Sequence, residues 1–175
     1  MKSNITKKLF TGIIFMSSVC FANEPIKNDS IKSNECLAVI GIAVDEKNEP
    51  IDGVQIRLYK ENEELEWAEV TNVAYHDHNF QFILDANQYY TIEVSKPGYL
   101  KRFVAISTVL PNNIEITPIF TFEFDVVLLK EKKIVDDYYL DFPVALISYN
   151  KKSEVFENNN NYTNHIKTKI KESTK

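Results

Sequence analysis

The chain has 175 residues, 44% of them hydrophobic and 12% aromatic, with 20 lysines and arginines against 25 aspartates and glutamates, a net charge of −5. An acidic balance of this kind argues against nucleic acid and against anionic lipid as the main partner, because both are recruited by clustered cations. The length suits one domain with a sizeable core.

At the N-terminus, Lys2, Lys7 and Lys8 precede an apolar run from Leu9 to Val19 and then Cys20-Phe21-Ala22. Positive region, short apolar stretch and small-residue site form the pattern of a secretory signal peptide, with cleavage expected after Ala22. The run is shorter than the roughly 20 residues that span a bilayer, which disfavours a retained anchor. Cys20 raises the alternative of lipidation. The bulky Val19 before it favours simple cleavage, so membrane contact is expected only if Cys20 is lipidated. Loss of residues 1–22 removes three lysines and no acid, which moves the balance from −5 to −8. It also leaves Cys36 without a disulfide partner, so stability must come from a hydrophobic core. The expected location is the periplasm, or a loose association with the cell envelope.

Residues 23–36 are polar without a period and read as a flexible leader. From residue 37 to 129, short β-rich runs alternate with turn chemistry, the pattern of an all-β sandwich. Ala38–Val44 is nearly all apolar, as in a strand buried on both faces. Gly53–Tyr59 alternates, with Val54, Ile56 and Leu58 on one face. Trp67–Ala74 is a weaker strand and Tyr75–Asn79 a turn. Phe80, Phe82 and Leu84 alternate with Gln81 and Ile83, and Tyr90, Ile92 and Val94 with Thr91, Glu93 and Ser95. Arg102–Thr108 is a further strand. Phe120, Phe122 and Phe124 line one face of another, with Thr121, Glu123 and Asp125 between them. Period-2 burial of this kind requires a second apolar layer. In the extension 130–175, an apolar patch at Tyr139–Tyr149 precedes the asparagines 158–161. Tyr162, Ile166 and Ile170 then stand at i, i+4 and i+8, which predicts a short terminal helix on the sandwich. Lys96-Pro97-Gly98-Tyr99 reads as a tight reversal between adjacent strands. Pro97 fixes φ, Gly98 supplies φ > 0, and Tyr99 covers the sandwich end.

The order of these pieces resembles carboxypeptidase regulatory-like domains. Gly41-Ile42-Ala43-Val44-Asp45 followed by Pro50-Ile51-Asp52-Gly53-Val54-Gln55-Ile56 is similar to that family's opening strands. Phe80–Leu84, Tyr90–Val94 and Lys96–Tyr99 look like its later strands and turn. Where the family usually has Asp-Gly before the first phenylalanine, this chain has His78-Asn79. The resemblance covers about residues 37–129 and implies a seven-stranded Greek-key, transthyretin-like β-sandwich, with the extension outside the motif.

Domains of this family sit as non-catalytic appendages on metallocarboxypeptidases, and the chain shows no His-x-x-Glu, serine triad, phosphate loop or Cys-x-x-Cys. The expectation is therefore no enzyme activity and no cofactor. His76 and His78 share a face in an extended segment and form the only metal-like pair. With His165 far away, the three or four ligands of a zinc site are not assembled, so a metal-dependent hydrolase is the least favoured reading. Trp67, Tyr75, Tyr89 and Tyr99 are candidates for a stacking platform for glycan or peptide, against the alternative that they cap sheet edges. The first reading is a binding or scaffolding module of the bacterial envelope that contacts a protein partner. Carbohydrate or peptide binding through the aromatics is the alternative.

Overall fold

The computed structural model describes residues 34–62, 66–74, 79–114, 116, 119–131 and 138–173; within 67–74 it describes the backbone and the Glu69 side chain. The predicted signal peptide and nearly all of the predicted leader lie outside these residues, as do Tyr75, His76 and His78.

Two sheets form a sandwich. The smaller has three strands in the order β4 (Asn79–Asp85), β1 (Glu35–Val44), β7 (Phe120–Val127). The larger has six: β3 (Trp67–Ala74), β2 (Gln55–Glu61), β5 (Tyr89–Ser95), β6 (Arg102–Ser107), β8 (Ala145–Asn150) and β9 (Val155–Asn158). The chain leaves β1 for the β2–β3 hairpin in the other layer, returns as β4, crosses again for β5–β6 and comes back as β7. These crossings between layers are those of a Greek-key sandwich. The all-β sandwich expected from the alternating runs is thus observed, with nine strands among the described residues rather than seven. The two additional strands come from the extension: β8 pairs in parallel with β6, and β9 folds back antiparallel on β8.

The alternation read from sequence sets the inner faces. Ile56, Leu58, Phe80, Phe82, Leu84, Ile92, Val94, Val104 and Ile106 are all buried, and each strand repeats them every second residue. β1 is the central strand of its sheet and is buried at Cys36, Leu37, Ala38 and Val39 in succession, as its near-continuous apolar run predicts. Gly41 in that strand stands opposite Phe80 of β4, and a methyl group there would fall within the Phe80 ring. Glycine is therefore used at 41 for close approach of an aromatic ring.

The reversal between β5 and β6 has the predicted form. The Tyr99 N–H donates to the Lys96 carbonyl at 3.0 Å, and Gly98 has φ +81°, as the third position of a type II turn requires. Tyr99 is half-buried against the core, and its backbone bridges Lys130 beyond the end of β7.

The chain after β9 forms α1 (Asn160–Ser173). Asn159 caps it, its Oδ1 accepting from the Tyr162 N–H at 3.1 Å, and Asn158 Oδ1 accepts from the Thr163 hydroxyl at 2.9 Å. The asparagine run is thus a helix start. Thr163, Ile166, Ile170 and Ser173 form the buried side of α1. Among the described residues no helix is long and apolar enough to cross a membrane.

Candidate functional site

The sheets are unequal, and a cavity lies where the smaller one ends. β7 is an edge strand, while β8 and β9 carry the larger sheet two strands beyond β6. Phe120 at the start of β7 closes against Tyr149 and Phe156 of that extension, with ring centroids 5.6 and 5.5 Å apart. Further along, β7 has no neighbour in its own sheet to cover the remaining inward face of β6 and β8. α1 packs against β8 there, and the space left between them is a cavity of about 460 Å³.

Val104, Ala145 and Ile147 form its floor on the large sheet, Phe122 and Phe124 its wall on β7, and Ile170 its cover on α1. Thr163, Lys167, Ile170 and Lys171 all line it, a spacing that places them on one side of the helix. Because Phe122 and Phe124 of β7 face this gap, they are half-buried where a closed core would bury them fully.

Charged groups also reach the cavity. Lys167 and Lys171 are exposed, and Glu46 and Asp125 line it as well. Arg102 differs from these: it is 2% exposed. As the first residue of β6 it shares the inward face with Val104 and Ile106. Its Nη1 is buried without a hydrogen-bond partner. Burial lowers the guanidinium from its ordinary value to about 10, so it stays cationic at neutral pH. A charged residue at an inward position of a period-2 strand is the sequence signal that would have pointed to it.

The only other buried side-chain nitrogen without a partner among the described residues belongs to Arg57, whose setting is different. Arg57 is partly exposed, and its Nη1 pairs with Glu93 at 3.3 Å. Glu93 is held further by the Tyr59 hydroxyl at 3.4 Å and Lys101 at 3.6 Å. That cluster has its countercharges. Arg102 does not.

Of the four aromatic candidates, the two whose side chains are described stand apart. Tyr89 is 50% exposed at the start of β5, whereas Tyr99 follows the far end of that strand, so its length separates them. Trp67 opens β3, and its side chain is outside the description, as are Tyr75, His76 and His78. Among the described residues no three histidine, cysteine or acidic side chains are grouped to hold a metal ion. Pro97 and Gly98 stand in the turn and are not among the residues that line the cavity.

No family model matches the chain, and no curated protein matches it. Solved structures similar to it include 3-chlorocatechol 1,2-dioxygenase from Rhodococcus opacus 1CP, at 11% identity and a TM-score of 0.36 over 54% of this chain and 59% of the other. Catechol 1,2-dioxygenase from Acinetobacter radioresistens is similar at 13% identity and a TM-score of 0.40, over 61% and 55%. Sea bream transthyretin in complex with thyroxine is similar at 12% identity and a TM-score of 0.36, over 50% and 85%. The chain spans between 55% and 59% of the length of these dioxygenases. The likeness concerns the sandwich alone. The expectation that the chain has no enzyme activity is corrected at this point: the similar structures include enzymes, so a sandwich without familiar catalytic motifs does not exclude catalysis.

Proposed function

We propose that the chain is a ligand-binding module of the bacterial cell envelope, built on a carboxypeptidase regulatory-like sandwich, and that its site is the cavity beneath α1. The observation that carries this is the cavity itself. Its volume of about 460 Å³ falls within the roughly 300–1,000 Å³ of small-molecule sites, and it joins apolar walls to a few polar groups. The envelope placement is supported by the cations, apolar run and small residues of positions 1–22. The family assignment is supported by the ordered motifs between Gly41 and Tyr99.

A neutral, environment-sensitive fluorophore such as N-phenyl-1-naphthylamine tests the site. Saturable binding to one site is expected, and Val144→Trp, which fills the cavity from its lining, should abolish it with the far-ultraviolet circular dichroism unchanged. Absence of saturable binding overturns the reading.

A protein partner is the second reading, favoured by an aromatic cluster just before β8. Tyr138 and Phe142 are 64% and 39% exposed, and their rings stand 5.4 Å apart, with Tyr139 completing the group. Exposed aromatic groups of this kind mark contact surfaces. Cross-linking in intact cells should recover a defined envelope protein, and Tyr138→Ser with Phe142→Ser should lose it; recovery unaffected by the double change excludes this surface.

A further inference from the structure

The apolar walls of the cavity do not account for Arg102. An arginine is almost never buried unless it is paired, because a cation taken out of water without a countercharge is strongly unfavourable. Here the side chain is 2% exposed, its Nη1 has no hydrogen-bond partner, and it lines a space open to a ligand. Its strand neighbours Val104 and Ile106 show that a hydrophobic residue would satisfy the fold at position 102. The two acids that line the same cavity, Glu46 and Asp125, form no ion pair with it.

We infer that the cavity binds an amphipathic monoanion, an aliphatic or aromatic carboxylic acid, with its carboxylate on Arg102 and its apolar part against Val104, Phe122, Phe124 and Ile147. This rests on the ligand-binding reading above and specifies its substrate class. The planar fork of a guanidinium matches a carboxylate with two parallel hydrogen bonds, which would satisfy the idle Nη1. The charge count selects one negative charge over two. The lining carries Arg102, Lys167 and Lys171 against Glu46 and Asp125, three cations to two anions, so one carboxylate neutralises it and a dianionic phosphate ester would leave a charge in excess. The exposed Lys167 and Lys171 stand on α1 and leave the innermost position to Arg102.

The test is displacement of the neutral fluorophore from the full chain at fixed ionic strength by decanoate, methyl decanoate and decyl phosphate. Decanoate should compete on the order of tenfold to a hundredfold better than its methyl ester, the difference expected for a hydrogen-bonded ion pair out of water. With the fluorophore's affinity for each variant measured first, Arg102→Met should erase that preference, and Arg102→Lys should retain part of it. Equal competition by acid and ester overturns the inference, and this wild-type comparison stands whether or not a variant folds. So does a preference that survives Arg102→Met, or tighter binding of decyl phosphate than of decanoate. If the fluorophore binds but acids show no advantage, the cavity reading stands and the anion inference alone falls. If neither fluorophore nor acid binds, both fall.

Discussion

Replacement of Arg102 by methionine should stabilise the ligand-free protein. The guanidinium is lowered by burial well below its ordinary value, to about 10. At about 1.4 kcal/mol per pH unit, that is a desolvation cost on the order of 3 kcal/mol borne by the fold at neutral pH. Methionine keeps the unbranched stem against Val104 and removes the charge, and its gain is reduced by whatever packing the guanidinium plane itself provides. A net gain of about 1–3 kcal/mol is expected, or roughly 4 °C in Tm for each kcal/mol at this chain length. The pH dependence carries a sign. Because the folded value lies below the unfolded one, the penalty is present in full below about pH 10 and is relieved as pH rises above it. The difference between variant and wild type should therefore be constant from pH 6 to 9. Urea unfolding at pH 7 and thermal melts across that range measure it. Arg57→Met is the control of opposite sign, since it strips Glu93 of its 3.3 Å partner and should destabilise. A loss of stability in Arg102→Met would refute the reasoning, because it would mean the guanidinium is held by partners that contribute to the fold.

Gly98→Val should cost on the order of 1–3 kcal/mol, all of it backbone strain: φ is +81° and nothing lies within 4 Å of an added Cβ. Pro97→Ala should cost less, about 0.4–1 kcal/mol, through the freedom it returns to the unfolded chain; equal small losses in thermal melts would show that the turn is not strained. Gly41→Ala should cost about 1–3 kcal/mol with φ unremarkable, because the Phe80 ring must move, and Gly41→Ala combined with Phe80→Leu should recover part of that loss. Cys36 is fully buried, and burial, then the charge of Asp85, push its thiol up to about 11, against a hydrogen bond with Thr108 that lowers it. Its contribution to stability is therefore complete below pH 9 and lost as pH rises from 9 to 11. A disulfide-exchange reagent at pH 8 should leave native Cys36 unmodified and react with it only in denaturant.

Strands were legible in the sequence wherever one face is core and the other solvent. Phe80, Phe82 and Leu84 alternate with exposed positions because β4 has that environment; in β2 the outward positions are half-buried and in β5 Glu93 is buried, but Ile56, Leu58, Ile92 and Val94 still keep the two-residue repeat of the inner face. The Pro97-Gly98 turn was legible because its dihedral requirement admits few residues. The terminal helix was legible from two isoleucines four apart, both of which are buried in α1. The cavity was hidden for a different reason. It is produced by a mismatch between layers: β7 is an edge, the larger sheet continues for two more strands, and no local period encodes that difference. β9, only four residues long, is too short for alternation to register. Arg102 was written in the sequence as a charge in phase with Val104 and Ile106, but an inward charge acquires meaning only when the opposite layer is known to be missing there.

The motif-bearing part of the chain and the binding site it supports are therefore different objects. The resemblance to regulatory-like domains covers about residues 37–129, which contribute Arg102, Val104, Phe122 and Phe124 to the cavity. Its remaining sides come from Val144, Ala145, Ile147, Asn158 and the helix residues Thr163 to Lys171, all of which follow that stretch. Without β8, the β6 edge would expose unpaired backbone groups, and Arg102 would stand near a sheet margin open to water. With β8, β9 and α1 in place, the edge is paired, the guanidinium is desolvated, and a space remains beside it. The extension thus turns a sheet edge into a partly open cavity, and the energetic cost of burying there a cation without a countercharge among the described residues is what ties that site to a ligand of opposite charge.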